Sequence, residues 1–299
     1  MAHPLPTLVI GGPTASGKSS LALRLAERTG AEIIGADAFQ VYRGLPILTA
    51  QPDAEFLSRA PHHLVGELDP VYAFDVVQYL ALARERIAAV RARGKPAVLV
   101  GGTGLYIRAV LNGLSDDLPP PQPQLRATME QTPLAELVRQ LLERDPSAEY
   151  LLDLRNPRRV MRALEVCVTT GRPFTSYRKT ADPADARVIR GVWVSVPRAE
   201  LHGAIVARTD EFFARGVVEE VRSANDGLGP TARQAIGVGE IRHLLRGEIS
   251  EADARRLINE ATRQYARRQE TWFRREPALV PSPASDALEA CLRIMDGSL

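Results

Sequence analysis

Residues 12–19, Gly12-Pro13-Thr14-Ala15-Ser16-Gly17-Lys18-Ser19, form a complete G-x-x-x-x-G-K-[ST] loop. The loop follows the apolar run Leu8-Val9-Ile10 and opens the amphipathic stretch Ser20-Leu21-Ala22-Leu23-Arg24-Leu25-Ala26. Strand, loop and helix in that order are the context the motif needs. The glycines let backbone N–H groups turn inward toward phosphate oxygens, and the helix N-terminus adds the positive end of its dipole. Lys18 brings a point charge, and the Ser19 hydroxyl is placed to hold Mg²⁺. The loop predicts binding of a phosphorylated molecule and leaves its identity open.

Beyond the loop, short apolar runs alternate with helical patterns through the first third of the chain. Ile33–Ala36 and Ala97–Val100 read as buried strands, Phe74–Ala92 and Leu105–Leu111 as helices. Such alternation predicts an α/β fold, a parallel sheet covered on both faces, with ligands at the carboxyl ends of the strands. Three loops, 12–19, 37–42 and 101–104, are therefore expected to converge. The proline-rich run from Asp116 to Pro123 fits neither helix nor central strand and reads as a linker. Only helical patterns follow, from Gln124 to about Gly171, before a strand candidate at Val188–Val196. The expected organisation is a P-loop core in two parts, 1–114 and 188–299, with a helical insertion at 115–187. The second part of the core reads as mostly helical, with a last short helix after Pro281-Ser282-Pro283.

The 299 residues, 45% hydrophobic and 25% charged, have ordinary globular composition, enough for one or two domains. No apolar run is long enough to span a bilayer, and residues 1–6 carry no secretory pattern. Cys167 and Cys291 lie far apart and match no metal spacing, which fits reduced thiols in a cytoplasmic protein. The net charge of +2 is too mild to argue for a nucleic-acid partner. Its distribution is more telling. Arg155, Arg158, Arg159 and Arg162 cluster in the insertion. Near the end, Arg255, Arg256, Arg263, Arg267, Arg268, Arg274 and Arg275 interleave with Tyr265, Trp272 and Phe273. Such faces suit phosphate tracks and stacked, unpaired bases. A solvated helix face paired with Glu260 and Glu270 accounts for the same pattern.

An ordinary P-loop ATPase or GTPase places an acid at the end of a later strand to hold Mg²⁺. Here that strand ends Val100-Gly101-Gly102-Thr103, and the carboxylate stands after the second strand instead, at Asp37. Asp37 is placed either to orient Mg²⁺ or take a proton, or simply to cap the turn that follows.

Taken together, the segments resemble the bacterial tRNA dimethylallyltransferase family over nearly the whole length. They are GPTASGKS at Gly12–Ser19, DAFQVYRGLPILTAQP at Asp37–Pro52, PHHL at Pro61–Leu64, and VGGTGLYIRAVLNGL at Val100–Leu114. NPRRVMRALEV at Asn156–Val166, RQAIGVGE at Arg233–Glu240 and TRQYARRQETWFRR at Thr262–Arg275 complete the series. The resemblance implies transfer of a five-carbon prenyl group from dimethylallyl diphosphate to N6 of the adenosine 3′-adjacent to the anticodon. It implies Asp37 as general base and Thr103 as a catalytic residue that hydrogen-bonds the reacting region. It implies that Gly12, Pro13, Thr14, Ala15, Ser16, Gly17, Lys18, Ser19 and Arg208 hold the diphosphate, with Ser19 on Mg²⁺. The tRNA contacts it implies lie at Asp37, Ala38, Phe39, Gln40, Thr103, Arg126, Arg158, Arg159 and Arg162. More lie at Gln234, Ile236, Gly237, Arg267, Arg268, Gln269, Trp272 and Arg274. A cytoplasmic monomer acting on the tRNA anticodon stem-loop is the expected form. The chain departs from the family pattern at Ala38, Gln51, Val238 and Gly239. The alternative is a P-loop small-molecule kinase, which binds ATP and has no need of two arginine-rich faces.

Overall fold

The computed structural model describes residues 7–114, 118–177, 190–224 and 227–298. Two compact units emerge, Met1–Gly113 with Pro183–Leu299, and Leu114–Asp182. In the first unit, strands β1 (Leu8–Gly11), β2 (Glu32–Gly35), β3 (His62–His63) and β4 (Ala97–Gly101) alternate with helices α1 (Lys18–Thr29), α2 (Ala54–Arg59), α3 (Val76–Ala92) and α4 (Gly104–Asn112). The second unit is α5 (Pro123–Glu130), α6 (Leu134–Arg144), α7 (Ala148–Leu151) and α8 (Pro157–Thr170). The chain returns to the first unit with β5 (Gly191–Ser195), α9 (Arg198–Ala214), α10 (Val217–Ala224), α11 (Val238–Leu245), α12 (Glu251–Phe273), β6 (Leu279–Pro283) and α13 (Ala287–Met295).

The strands form one parallel sheet in the order β3-β2-β4-β1-β5-β6. Because successive side chains point to opposite faces, Leu8, Ile10, Val98 and Val100 meet Leu21 and Leu25 of α1 and Leu288 and Cys291 of α13 on one face. Val9, Ile34 and Leu99 are buried on the other face, the side toward which Tyr79 of α3 donates its hydroxyl to the Gly35 carbonyl, 3.0 Å. Burial on both faces is why these strands read as unbroken apolar runs.

Several elements differ from the sequence expectation. Helix α3 starts at Val76, because Asp75 caps it: the Asp75 carboxylate accepts from the Val77 and Gln78 N–H groups, and Gln78 bonds back to the Asp75 N–H. The Pro61–Leu64 motif enters the short strand β3. There His63 Nε2 lies 2.7 Å from the buried Glu32 carboxylate, which Arg93 also holds at 2.7 Å. The tail residues Pro281-Ser282-Pro283 lie in a strand, β6. Prolines two apart lack N–H groups on the same edge, so the opposite edge is left to pair with β5, as suits an edge strand. Of the strand expected at 188–196, residues 188 and 189 lie outside the described residues, as do 115–117 and 178–187 of the expected insertion and residues 1–6.

The second unit has its own core, with Leu137 and Leu141 of α6 against Val160, Ala163, Leu164 and Cys167 of α8. Glu165 is fully buried beside that core. Its carboxylate accepts from Arg126 Nε at 2.9 Å, Arg162 Nη1 at 2.6 Å and the Gln122 N–H at 2.6 Å. Burial opposes its charge, but the bonds from Arg126, Gln122 and Arg162 outweigh burial and hold the carboxyl below its usual range. A depressed carboxyl stabilises the fold above the unfolded-state value, and the contribution is lost as pH falls through the folded-state value. Both arginines keep contact with solvent, so Glu165→Ala is expected to lower stability by roughly 2–3 kcal/mol, with the loss shrinking in acid. Urea unfolding at neutral pH and at about pH 3 measures both effects; equal midpoints for variant and wild type would mean the cluster is not stabilising.

Candidate active site

The loop after β1 turns through residues that only permissive backbone reaches. Gly17, the N-cap of α1, has φ 81° and Ala15 has φ 63°. A left-handed non-glycine residue is uncommon and must be held in place by its surroundings. Ala15 packs beside Leu201 and Ile205 of α9 and Ala266 of α12. The Lys18 ammonium rests on the Pro13 carbonyl at 3.2 Å, curling over the loop. Ser16 Oγ is buried with no hydrogen-bond partner among the described residues, and so is Nε of Arg208 on α9. Buried donors without partners are rare and ask for an acceptor.

The loop after β2 carries Asp37. Its Oδ1 accepts from the N–H groups of Phe39 at 2.9 Å and Gln40 at 3.2 Å, so the turn-capping role is real. Among the described residues Oδ2 accepts no hydrogen bond, which leaves one oxygen for chemistry. The charge of Asp37 is felt across the site. Burial lowers the Lys18 ammonium to about 8, and Asp37 resists that shift. Burial likewise lowers Arg208, again against the pull of Asp37. Burial pushes the Tyr106 and Tyr265 phenols up, with Asp37 adding to the effect.

The loop after β4 closes onto the second. Thr103 Oγ accepts from the Ala38 N–H at 3.1 Å, and the Thr103 N–H donates to the Ala36 carbonyl at 3.1 Å. Helix α12 then lies across the ends of β1 and β4. A Cβ on Gly11 would lie 2.3 Å from the Phe273 ring, on Gly102 2.2 Å from Gln269 Nε2, and on Gly104 2.2 Å from the Trp272 ring. Glycine at these positions is therefore a packing requirement. Gln269 itself is buried, accepting from the Thr14 N–H at 2.8 Å and donating to the Gly102 carbonyl at 2.9 Å.

The first unit thus gathers Gly12–Ser19, Asp37, Ala38, Thr103, Arg208 and the α12 face. Other expected residues lie outside this gathering, some bonded within the protein and some at its surface. Gln40 donates to the Thr49 and Ala50 carbonyls at 3.0 and 2.8 Å. Gly237, φ 103°, caps α11, and its N–H donates to Glu240 at 3.0 Å; Ile236 beside it is half-buried. Gln234, Arg267 and Arg268 are exposed, while Arg274 pairs with Glu270 and Trp272 carries the Arg108 guanidinium 4.9 Å above its ring. In the second unit Arg158 and Arg159 are exposed, whereas Arg126 and Arg162 hold Glu165. Sequence patterns assign Tyr265 no role at the site and assign Gln269 a different one. An aromatic and an amide at i and i+4 on an arginine-rich helix were the only local signal for either.

Fold and site define the class: a parallel α/β protein whose glycine-rich loop, with Lys18 and Arg208, forms a cationic cradle beside a single carboxylate. The model of the family IPP transferase matches residues 40–276, and that of Isopentenyl transferase residues 6–61. The chain is 43% identical over 276 residues to tRNA dimethylallyltransferase 1 of Citrifermentans bemidjiense, covering 91% of this chain and 90% of that one. It is 42% identical to tRNA dimethylallyltransferase of Myxococcus xanthus, covering 93% and 92%. The crystal structure of tRNA isopentenylpyrophosphate transferase from Bacillus halodurans superposes with a TM-score of 0.70 at 30% identity, over 99% of this chain and 96% of that one. The chain belongs to the IPP transferase family.

The position of Lys18 near 8 has a consequence for anion binding. A diphosphate favours the charged ammonium, so affinity should fall as Lys18 deprotonates. Affinity for inorganic diphosphate is expected to weaken toward tenfold per pH unit above about 8, with no such break in Lys18→Arg. Calorimetric titration between about pH 7 and pH 9.5 tests this; parallel profiles for the two proteins would remove Lys18 from the anion site.

Proposed function

We propose that the chain transfers the dimethylallyl group of dimethylallyl diphosphate to N6 of the adenosine 3′-adjacent to the anticodon in tRNA, releasing diphosphate. The observation that carries the reading is Asp37, a carboxylate with one free oxygen, beside the Lys18 and Arg208 cations at the strand ends. The relatives named as tRNA dimethylallyltransferases support it. The exocyclic amine of adenine is a poor nucleophile. As its nitrogen bonds to C1 of the donor, the C1–O bond to diphosphate breaks and the nitrogen loses a proton. Asp37 Oδ2 accepts that proton. The Thr103 hydroxyl, which accepts from the Ala38 N–H and meets the Tyr265 phenol, stands beside the reacting groups as a hydrogen-bonding partner. Negative charge grows on the departing diphosphate, where Lys18, Arg208, Ser16 Oγ and the loop N–H groups stabilise it.

Mg²⁺ fits this site only together with the donor. Among the described residues no cluster of three or more His, Cys, Asp or Glu side chains is placed to hold a metal. Ser19 at the start of α1 offers a hydroxyl oxygen, the hard donor that Mg²⁺ takes alongside phosphate oxygens. When bound, the ion neutralises leaving-group charge. The adenine must leave its stack to reach Asp37, the logic of base flipping. Exposed Arg158, Arg159, Arg267 and Arg268 supply phosphate contacts. The proposed form is a cytoplasmic monomer, as the resemblance to the family implies. Among the described residues no helix is long and apolar enough to cross a membrane.

The direct experiment incubates unmodified tRNA with labelled dimethylallyl diphosphate and maps the label. Consumption of ATP with small acceptors instead of prenylation would favour the kinase reading. Asp37→Asn keeps the shape and the turn cap but loses the base, and its single-turnover rate is expected to drop about 10²–10⁴-fold with tRNA affinity little changed. A near-normal rate would remove Asp37 from proton transfer. Arg158→Ala with Arg159→Ala should weaken tRNA binding. It should also flatten the salt dependence by roughly 0.7 log units for each phosphate of single-stranded RNA that is no longer neutralised. Filter binding across salt concentrations tests it, and an unaltered slope would leave this face solvated and without a role in RNA binding.

A further inference from the structure

We propose that Gln269 is a positioning residue for prenyl transfer, a strut that holds the diphosphate loop and the Thr103 loop in register. The proposal rests on the donor-site reading above. One carboxamide spans two loops: Oε1 accepts from the Thr14 N–H at 2.8 Å, and Nε2 donates to the Gly102 carbonyl at 2.9 Å. The orientation is fixed by chemistry. A backbone N–H needs the oxygen and a backbone carbonyl needs the amine, so no flipped amide satisfies both. The side chain is 5% exposed, and its approach to Gly102 leaves no room for a Cβ there.

The strut sits where the loop most needs support. Thr14 precedes Ala15, whose φ of 63° places it in a region that alanine leaves when unrestrained. Ala266, three residues before Gln269 on α12, belongs with Leu201 and Ile205 to the apolar cluster against which Ala15 packs. The tip of the loop is thus pinned by a hydrogen bond on one side and by van der Waals contact on the other. At its other end the strut fixes Gly102, the residue before Thr103, whose hydroxyl meets the Ala38 N–H next to Asp37. The leaving-group side and the proton-accepting side of the reaction therefore share one side chain. Misplacement of reacting groups by a fraction of an ångström is costly in rate. Thr14 commits its N–H to Gln269, which leaves its hydroxyl as the group it can turn to a phosphate.

Two variants and three readouts test the strut. Gln269→Leu keeps the volume and loses both bonds. It is expected to weaken inorganic diphosphate binding about tenfold and to slow single-turnover prenylation at saturating donor by at least about tenfold, with tRNA affinity within about twofold of wild type. Gln269→Glu is pH-sensitive by design. Ionised, it sets a carboxylate against the Gly102 carbonyl; protonated, it donates to that carbonyl and still accepts from Thr14. Its rate relative to wild type at the same pH should therefore recover as pH falls from about 8 to about 6, since burial raises a carboxyl's pKa. The leucine variant should show no recovery. Folding is checked by circular dichroism, and the glutamate variant carries the test if the leucine variant does not fold. Normal diphosphate binding and rate in folded Gln269→Leu would overturn the proposal. So would a folded glutamate variant that stays impaired at every pH, because the protonated side chain restores both the donor to Gly102 and the acceptor for Thr14. A wild-type protein that binds diphosphate but prenylates no tRNA would instead overturn the reading of function.

Discussion

The close approach of α12 to the ends of β1 and β4 is the constraint on which the site depends. Phe273, Gln269 and Trp272 occupy the space where Gly11, Gly102 and Gly104 lack side chains. Each contact brings a helix side chain against strand-end backbone, so the loops that leave those strands start from fixed positions. Tyr265 extends the same face toward Thr103, and Trp193 of β5 stacks on Phe273 behind it, ring centroids 6.2 Å apart. A parallel sheet presents its loops at one end, but their mutual distances are left open by the sheet alone. The helix that lies across them supplies that information.

The electrostatics of the pocket are arranged around an anion. Burial lowers both Lys18 and Arg208, and Asp37 offsets only part of the cost. Ser16 Oγ and Arg208 Nε are buried without partners among the described residues. Stability alone would favour pairing or removing such groups, since a buried unpaired donor costs free energy. Functional sites tolerate that cost when a ligand relieves it. The same groups that destabilise the empty cradle are the ones that stabilise charge on a departing diphosphate.

The second unit solves a different problem with the same residue type. Its arginines divide between structure and surface. Arg126 and Arg162 are committed to Glu165, a carboxylate that burial would otherwise neutralise, while Arg158 and Arg159 are exposed. On α12, Arg255 and Arg256 pair with Asp210, Glu251, Asp253 and Glu260, whereas Arg267 and Arg268 are exposed. A basic cluster in sequence is therefore a mixture, and only the folded chain shows which arginines hold a buried carboxylate and which lie at the surface.

Local patterns in the sequence sufficed for the glycine-rich loop, the parallel α/β core, the all-helical stretch from 124 to 171 and the carboxylate at Asp37. Each follows from neighbours in the chain: apolar runs, helical periodicity, and the spacing of Gly, Lys and Ser. Local patterns did not disclose β6, because two prolines argue against a strand unless its place at the sheet edge is known. They did not disclose why Gly102 is glycine or what Gln269 does, because those residues meet across 167 positions of sequence. They left Arg126 and Arg162 indistinguishable from Arg158 and Arg159, because charge is written in sequence and burial is not. The amino-acid order by itself determined which groups the protein possesses and which elements carry them. The tertiary structure alone decided which groups are buried, which are paired and which face the site, because desolvation and hydrogen-bond geometry depend on neighbours that only folding brings together.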